Sequence, residues 1–215
     1  YQLKRNTMLE RIDHIAVACN DLQKGIEYIE ALLGVQSSVG GVHPGFGTKN
    51  HLIKLGPRCF LEIIGPDPNR ESKDLPSLFM IDQVVEPTLT RWIATSNKLK
   101  EVQSKCSDLG IDIGKISPAQ RQKPDGSTIQ WKLSDPYRLN FDGLMPFFID
   151  WGQTPHPAEN LDQPCTLLKL EVYHRNKLEV ERIFQNLKLP IPVHFGESTK
   201  IVATIDCPKG IVQLT

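Results

Sequence analysis

The chain has 215 residues, 40% of them apolar, enough to bury one sizeable core or two small ones. Lysine plus arginine and aspartate plus glutamate both number 25, so no surplus of positive charge draws in nucleic acid or an anionic membrane surface, and the expected partner is a small molecule. Five cysteines stand without a C-x-x-C pair, which argues against a disulfide framework or thiolate zinc site and suits a reducing, cytoplasmic setting; no apolar run approaches the roughly 18 residues of a membrane helix.

In chain order, the opening "YQLKRNT" lacks the apolar stretch of a secretion signal, and Met8 is a candidate natural start with residues 1–7 an appended segment. "RIDHIAVA" reads as a strand. "CNDLQKGIEYIEALLG" then places Leu22, Ile26, Ile29 and Leu33 on one helical face over 21–33, between a cap at Asn20 or Asp21 and a stop at Gly34. "GGVHPGFGTKNHLIKLG" follows, from Gly40 to Gly56. A phosphate loop would need G-K-[ST] opening a helix, and a dinucleotide loop G-x-G-x-x-G between strand and helix; neither context is present. The stretch reads instead as a flexible glycine loop at the rim of a site, running into the strand "NHLIKLG". His43 and Asn50 would hydrogen-bond over the mouth, with His51 beside them. A tight turn at Gly56–Arg58 leads to "CFLEIIG", and the polar, proline-bearing "GPDPNRESKDLP" is a solvated excursion that brings Arg70 towards the pocket.

The pattern then recurs. "TRWIATS" is a strand, and a helix over 97–109 carries Leu99, Val102, Cys106 and Leu109 to a stop at Gly110. "STIQWKL" enters through a hairpin turn at Pro124–Gly126, and "MPFFIDW" closes the second set. A third set comprises "LLKLEVY", a helix with Val180, Ile183, Phe184 and Leu187 inward and Pro190 beyond its end, then "TKIVATID" and "IVQLT". The unit is βαβββ, repeating about every eighty residues: modules at 8–85 and 86–160 forming one domain, and a shorter βαββ module at 161–215. The fold class is α+β, with repeated modules making a cupped or barrel-like mixed sheet and helices outside. The third module has no internal partner for its sheet and ends on a strand, so a homodimer through that module is expected. Alternation predicts what faces the concavity. Ile15 and Val17 share one face, leaving His14, Ala16 and Ala18 on the other; Leu61 and Ile63 oppose Phe60, Glu62 and Ile64; Phe148 and Asp150 oppose Phe147, Ile149 and Trp151. No G-x-S-x-G elbow occurs, and no cysteine has a nucleophile's setting.

"DHIAVACNDLQKGIEYIEALLG" with "FLEIIG" resembles the vicinal oxygen chelate superfamily, which includes glyoxalase I, extradiol dioxygenases and bleomycin-resistance proteins. Adding "GGVHPGFGTKNHLIKLG", "PFFIDWG" and "TPHPAEN" narrows the likeness to the bacterial glyoxalase-like domain family, from about Met8 through Asn160. The resemblance implies one divalent metal (Mn, Fe, Ni or Zn) held by two modules, with His14 and Glu62 at the ligand positions of the first and Asp150 at the last-strand position of the second. The remaining position falls on Trp92, which has no lone pair to offer, leaving a His, Glu and Asp set. It implies a metal-dependent enzyme of lyase, isomerase or dioxygenase type acting on vicinal oxygens, with His14 and Glu62 as catalytic groups. The alternative is a metal-free binding or sequestering protein of the bleomycin-resistance type, with Trp92, Trp131 and Trp151 as stacking walls. Candidate substrate contacts are His43, Asn50, His51, Arg91, Trp92 and Phe148, Arg91 standing equally as an anion partner or a solvated side chain.

Overall fold

The computed structural model describes residues 11–70, 78–162 and 164–215; the Met8 start and most of the excursion after Arg70 lie outside the described residues. The strands and helices in chain order are β1 (Ile12–Ala18), α1 (Leu22–Leu33), β2 (Ser38–His43), β3 (Thr48–Gly56), β4 (Cys59–Pro66), β5 (Thr88–Thr95), α2 (Leu99–Asp108), β6 (Ser117–Gln122), β7 (Thr128–Leu133), β8 (Phe147–Asp150), β9 (Thr166–His174), α3 (Lys177–Asn186), β10 (Val193–Phe195), β11 (Lys200–Cys207) and β12 (Gly210–Leu214). The fold is α+β, as the periodicity predicts.

The first eight strands close into a barrel in the order β1-β4-β3-β2-β6-β7-β8-β5. Each half repeats one arrangement, with the first strand parallel to the last (β1 with β4, β5 with β8) and hairpins completing the set. The halves meet at two unequal seams. β1 and β5 pair antiparallel along most of their length, whereas β2 and β6 share a single registered pair, Val42 with Gln122.

Local chemistry explains the helices. The Asp21 side chain accepts from the Lys24 N–H at the start of α1, and Gly34 closes it at φ 71°, a left-handed conformation that costs a glycine nothing. Ile26, Ile29 and Leu33 face inward from α1, Val102 and Cys106 from α2, and Val180, Ile183 and Phe184 from α3. These stripes pack on the outward strand residues Ile15, Val17, Leu61, Ile63, Trp92 and Phe148 in one continuous apolar cluster. Burying each such side chain stabilises the fold by about 1.5–3 kcal/mol.

Three strands lie where no strand was predicted. β2 and the start of β3 occupy the glycine-rich stretch, so the expected flexible loop is confined to the turn at 44–47. β6 is "SPAQRQ", paired to β7 in the expected hairpin. β10 is a three-residue strand beside β9, which gives the third unit βαβββ rather than βαββ. Its sheet order, β10-β9-β11-β12, differs from that of the barrel halves. Nor is this sheet without an internal partner: Leu170, Val172, Ile201, Ala203 and Ile205 join the same apolar cluster as the outside of the barrel. No described helix is long and apolar enough to cross a membrane.

Candidate functional site

Inside the barrel an apolar wall surrounds a few polar groups. Phe60, Ile64, Phe79, Trp131, Leu133, Phe147, Ile149 and Trp151 line the cavity with His14, His43, Asn50, Glu62 and Arg121. Alternation delivers most of them. His14 on β1 stands opposite Phe60 on β4 in parallel register, and their rings stack at 4.4 Å with 9° between planes. Glu62 follows two residues on, facing the same way, and Asn50 reaches it diagonally from β3.

The polar groups form a chain. Asp13 Oδ1 lies 2.7 Å from His14 Nδ1, and His14 Nε2 faces Glu62 Oε2 at 3.5 Å. Asn50 Nδ2 donates to Glu62 Oε1 at 2.6 Å. On the far side Asp13 Oδ2 accepts from Trp151 Nε1 at 2.9 Å and lies 3.4 Å from His156 Nε2. All of these side chains are buried. Burial alone would lower the basicity of His14, but hydrogen bonding and charge from Asp13 and Glu62 overcome it and hold the imidazole near a pKa of about 9. Burial would raise both carboxyls, but His14 outweighs it for each, joined by His156 at Asp13 and by His43 and Asn50 at Glu62, and both sit at about 2. Burial drives His43 down to about 4, leaving it neutral, with Nδ1 3.1 Å from Thr48 Oγ1. At neutral pH the centre is therefore an imidazolium between two carboxylates.

Of the residues nominated from sequence, His14, Glu62, His43 and Asn50 meet in this cavity. The others do not. Asp150 lies with Phe148 on the outward face of β8, and its Oδ1 accepts from the Gly152 N–H at 2.9 Å, which is turn-making. Phe148 packs into the outer cluster while its neighbour Phe147 lines the cavity. Trp92 is fully buried against α3, 5.9 Å from the Phe184 ring, with Nε1 donating to Leu144 O. Arg91 neither meets solvent nor lines the cavity; it is 1% exposed and donates to Gly143 O and Arg138 O. His51 sits on the outer face of β3, 2.9 Å from Ser37 Oγ.

Three polar members are not among the residues nominated from sequence: His156, which entered only within the segment "TPHPAEN" that carries the resemblance, Asp13 and Arg121. Asp13 should face outward beside Ile15, but the register of β1 against β5 shifts between Ile12 and His14, and this irregularity brings Asp13 to His14. Arg121 belongs to β6, whose proline and glutamines give no strand signal.

A divalent ion requires several converging donors. Among the described residues no three His, Cys, Asp or Glu side chains come together to supply them. His14 and Glu62 are two, Asp150 is on the wrong face, and the amide oxygen of Asn50 is turned to the Arg121 guanidinium at 3.5 Å. A fixed cation beside a two-donor pair does not fit the divalent metal that the resemblance implied.

The family model described as "Glyoxalase-like domain" matches residues 12–188. A hypothetical protein from Staphylococcus aureus is similar in structure over 95% of this chain and 98% of its own, at 14% identity and a TM-score of 0.68. A methylmalonyl-CoA epimerase variant from Streptomyces coelicolor in complex with 2-nitronate-propionyl-CoA is similar at 18% identity, covering 65% of this chain and 92% of that one, with a TM-score of 0.42. For methylmalonyl-CoA epimerase from Mycobacterium tuberculosis the values are 14%, 69%, 92% and 0.41. At such identities the first likeness bears on fold alone, and the two lower scores carry nothing further. No curated protein matches the sequence.

Proposed function

Because the chain belongs to the glyoxalase-like domain family, we propose that it is an enzyme that moves a proton on a small substrate with vicinal oxygens, Glu62 taking the proton and His14 meeting the oxyanion that develops. The observation that carries this reading is the Asp13–His14–Glu62 chain set in a cavity walled mainly by aromatic and aliphatic side chains. Asp13 fixes the ring through Nδ1, so the Nε2 proton points at the space where Glu62 Oε2 also lies. Asn50 occupies the other carboxylate oxygen and leaves Oε2 for chemistry. In the free protein Glu62 is a weak base, because His14 neutralises it. A substrate oxygen that takes over His14 Nε2 removes that neutralising contact, and the carboxylate becomes more basic as the substrate seats. Abstraction of a proton next to a carbonyl then leaves the enolate charge on the oxygen beside the imidazolium. This suits isomerase or lyase chemistry.

The test is hydrogen–deuterium exchange at carbon. In D2O, with a panel of 2-oxo acids, hydroxyketones and vicinal dicarbonyls followed by proton NMR, the wild type should wash out one C–H signal. Glu62→Gln should slow that exchange by at least about 100-fold. An undiminished rate in Glu62→Gln overturns the assignment. The donor set leads us to expect that added Mn2+, Fe2+, Ni2+ or Zn2+ leaves the melting midpoint unchanged; a stoichiometric stabilising ion would restore the metal-dependent reading. A second reading rests on the aromatic rings Phe46, Phe60, Phe79, Trp131, Phe147 and Trp151 around the cavity. It is binding without chemistry, and it predicts compounds that raise the melting midpoint yet emerge unchanged by NMR.

A further inference from the structure

Arg121 takes no part in the proton chemistry, and its setting is unusual. It is 5% exposed and lines the cavity, yet among the described residues its Nε has no hydrogen-bond partner and Nη1 reaches Asn50 Oδ1 alone, at 3.5 Å. Among the described residues no carboxylate makes an ion pair with it. Glu62 acts on Arg121 across the Asn50 amide, yet among the described residues nothing accepts from Nε, and a buried donor without an acceptor is costly, so the site has a place for an acceptor brought by a ligand.

Its neighbours keep that partner's place open. Asn50 stands between Arg121 and Glu62, amide oxygen to the arginine and amide nitrogen to the carboxylate. A direct Arg121–Glu62 contact would cancel both charges; the neutral spacer prevents it. The glycine pair on β2 supplies the room. A Cβ on Gly40 would stand 2.1 Å from Asn50 Oδ1 and 3.1 Å from Arg121 Nη1. One on Gly41, at φ +143°, would stand 2.1 Å from Gln122 O and 3.1 Å from Arg121 Cγ. The opening glycines of the stretch that follows α1 therefore make way for these two side chains.

We propose that Arg121 receives the carboxylate of a hydrophobic 2-oxo or 2-hydroxy acid, whose second oxygen meets His14 and whose apolar body lies among Trp131, Phe147 and Trp151. This names the substrate class of the site and rests on the preceding reading for the role of His14. Charge favours a monoanion over a dianion: Asp13 and Glu62 already balance His14 and Arg121, so each negative charge a ligand brings is in excess, and a second one costs more than the first. The planar fork of a guanidinium matches a carboxylate with two parallel hydrogen bonds, and a wall made mostly of aromatic and aliphatic faces favours an apolar body.

Calorimetric titration of the full chain with 4-phenyl-2-oxobutanoate, its neutral methyl ester and phenyl phosphate tests this. The acid should bind the wild type about 100-fold more tightly than the ester, and more tightly than the phosphate. Arg121→Gln should shrink the preference for acid over ester to within about threefold while leaving the ester's affinity alone. Arg121→Lys, which keeps the charge but not the fork, should retain an intermediate preference, and it stands in should the glutamine variant melt early. Equal binding of acid and ester, tighter binding of the phosphate, or no acid binding by folded wild type overturns the proposal. Arg121-dependent acid binding with no C–H exchange would sink the proton-transfer reading and leave this one standing. C–H exchange on the acid itself at a rate and apparent affinity that ignore Arg121→Gln would do the reverse.

Discussion

Three side chains set the chemistry at the scale of single residues, and they also predict how stability follows pH. The His14 pKa is raised from 6.5 to about 9, so its contribution is complete below 6.5 and is lost as pH climbs through about 9. Asp13 and Glu62 are lowered from 3.8 and 4.5 to about 2, so theirs is complete above about 4.5 and is lost as pH falls towards 2. His43, lowered from 6.5 to about 4, adds a contribution that is complete above 6.5 and is lost as pH falls towards 4, so the urea midpoint should peak near pH 6.5 and decline on both sides. His14→Gln should flatten the alkaline decline; a wild-type midpoint that stays level up to pH 9 would mean that the imidazolium pair does not form. His14 and Glu62 were legible in the sequence because a polar residue on an apolar strand face has few places to go. Asp13 was not, because strict alternation sends it outward and one register shift brings it back.

Among the elements, β2 and β6 form the weaker seam of the barrel, and their contact depends on glycine. Gly40→Ala forces a methyl into Asn50 and should cost about 1–3 kcal/mol by urea unfolding while disturbing the site. Gly45→Ala, in the neighbouring turn with nothing within 4 Å, is the control and should stay within about 0.5 kcal/mol. Similar destabilisation by both would remove the steric argument. In the first helix, loss of the α1 cap in Asp21→Ala should cost about 1 kcal/mol. That helix was readable to its ends, since stripe, cap and stop are local signals. β6 was not, because its strand character comes from the β7 hairpin rather than from its own residues.

At the scale of the molecule, the barrel and the second sheet share one apolar cluster, with Trp92 and Phe184 at their junction. The second sheet still ends in the short β10 and in β12, and Leu178, Phe195 and Ile211 stand exposed at 79%, 60% and 71%. We expect these features to support a homodimer through the third unit. Sedimentation at micromolar concentration should give twice the mass of the 24.2 kDa chain, and Phe195→Lys should halve it. A monomer at that concentration counts against the third unit as an interface.

By itself the sequence determined what depends on local periodicity: three amphipathic helices, the first with its cap, a repeating strand–helix unit, and a polar face formed by His14 and Glu62 inside an apolar shell. Family likeness added the kind of fold. Only the tertiary structure decided which candidates meet. Asp150, Phe148, Trp92 and His51 carry suitable groups but face the wrong side of their strands, while Arg91 is held by carbonyls outside the cavity. Arg121 arrives from a strand with no strand signal, across a seam closed by one pair. The physical reason is that a site is a property of register. A shift of one residue turns a side chain from solvent or helix layer into the cavity, and register is settled by pairing between distant strands, which no short window of sequence contains.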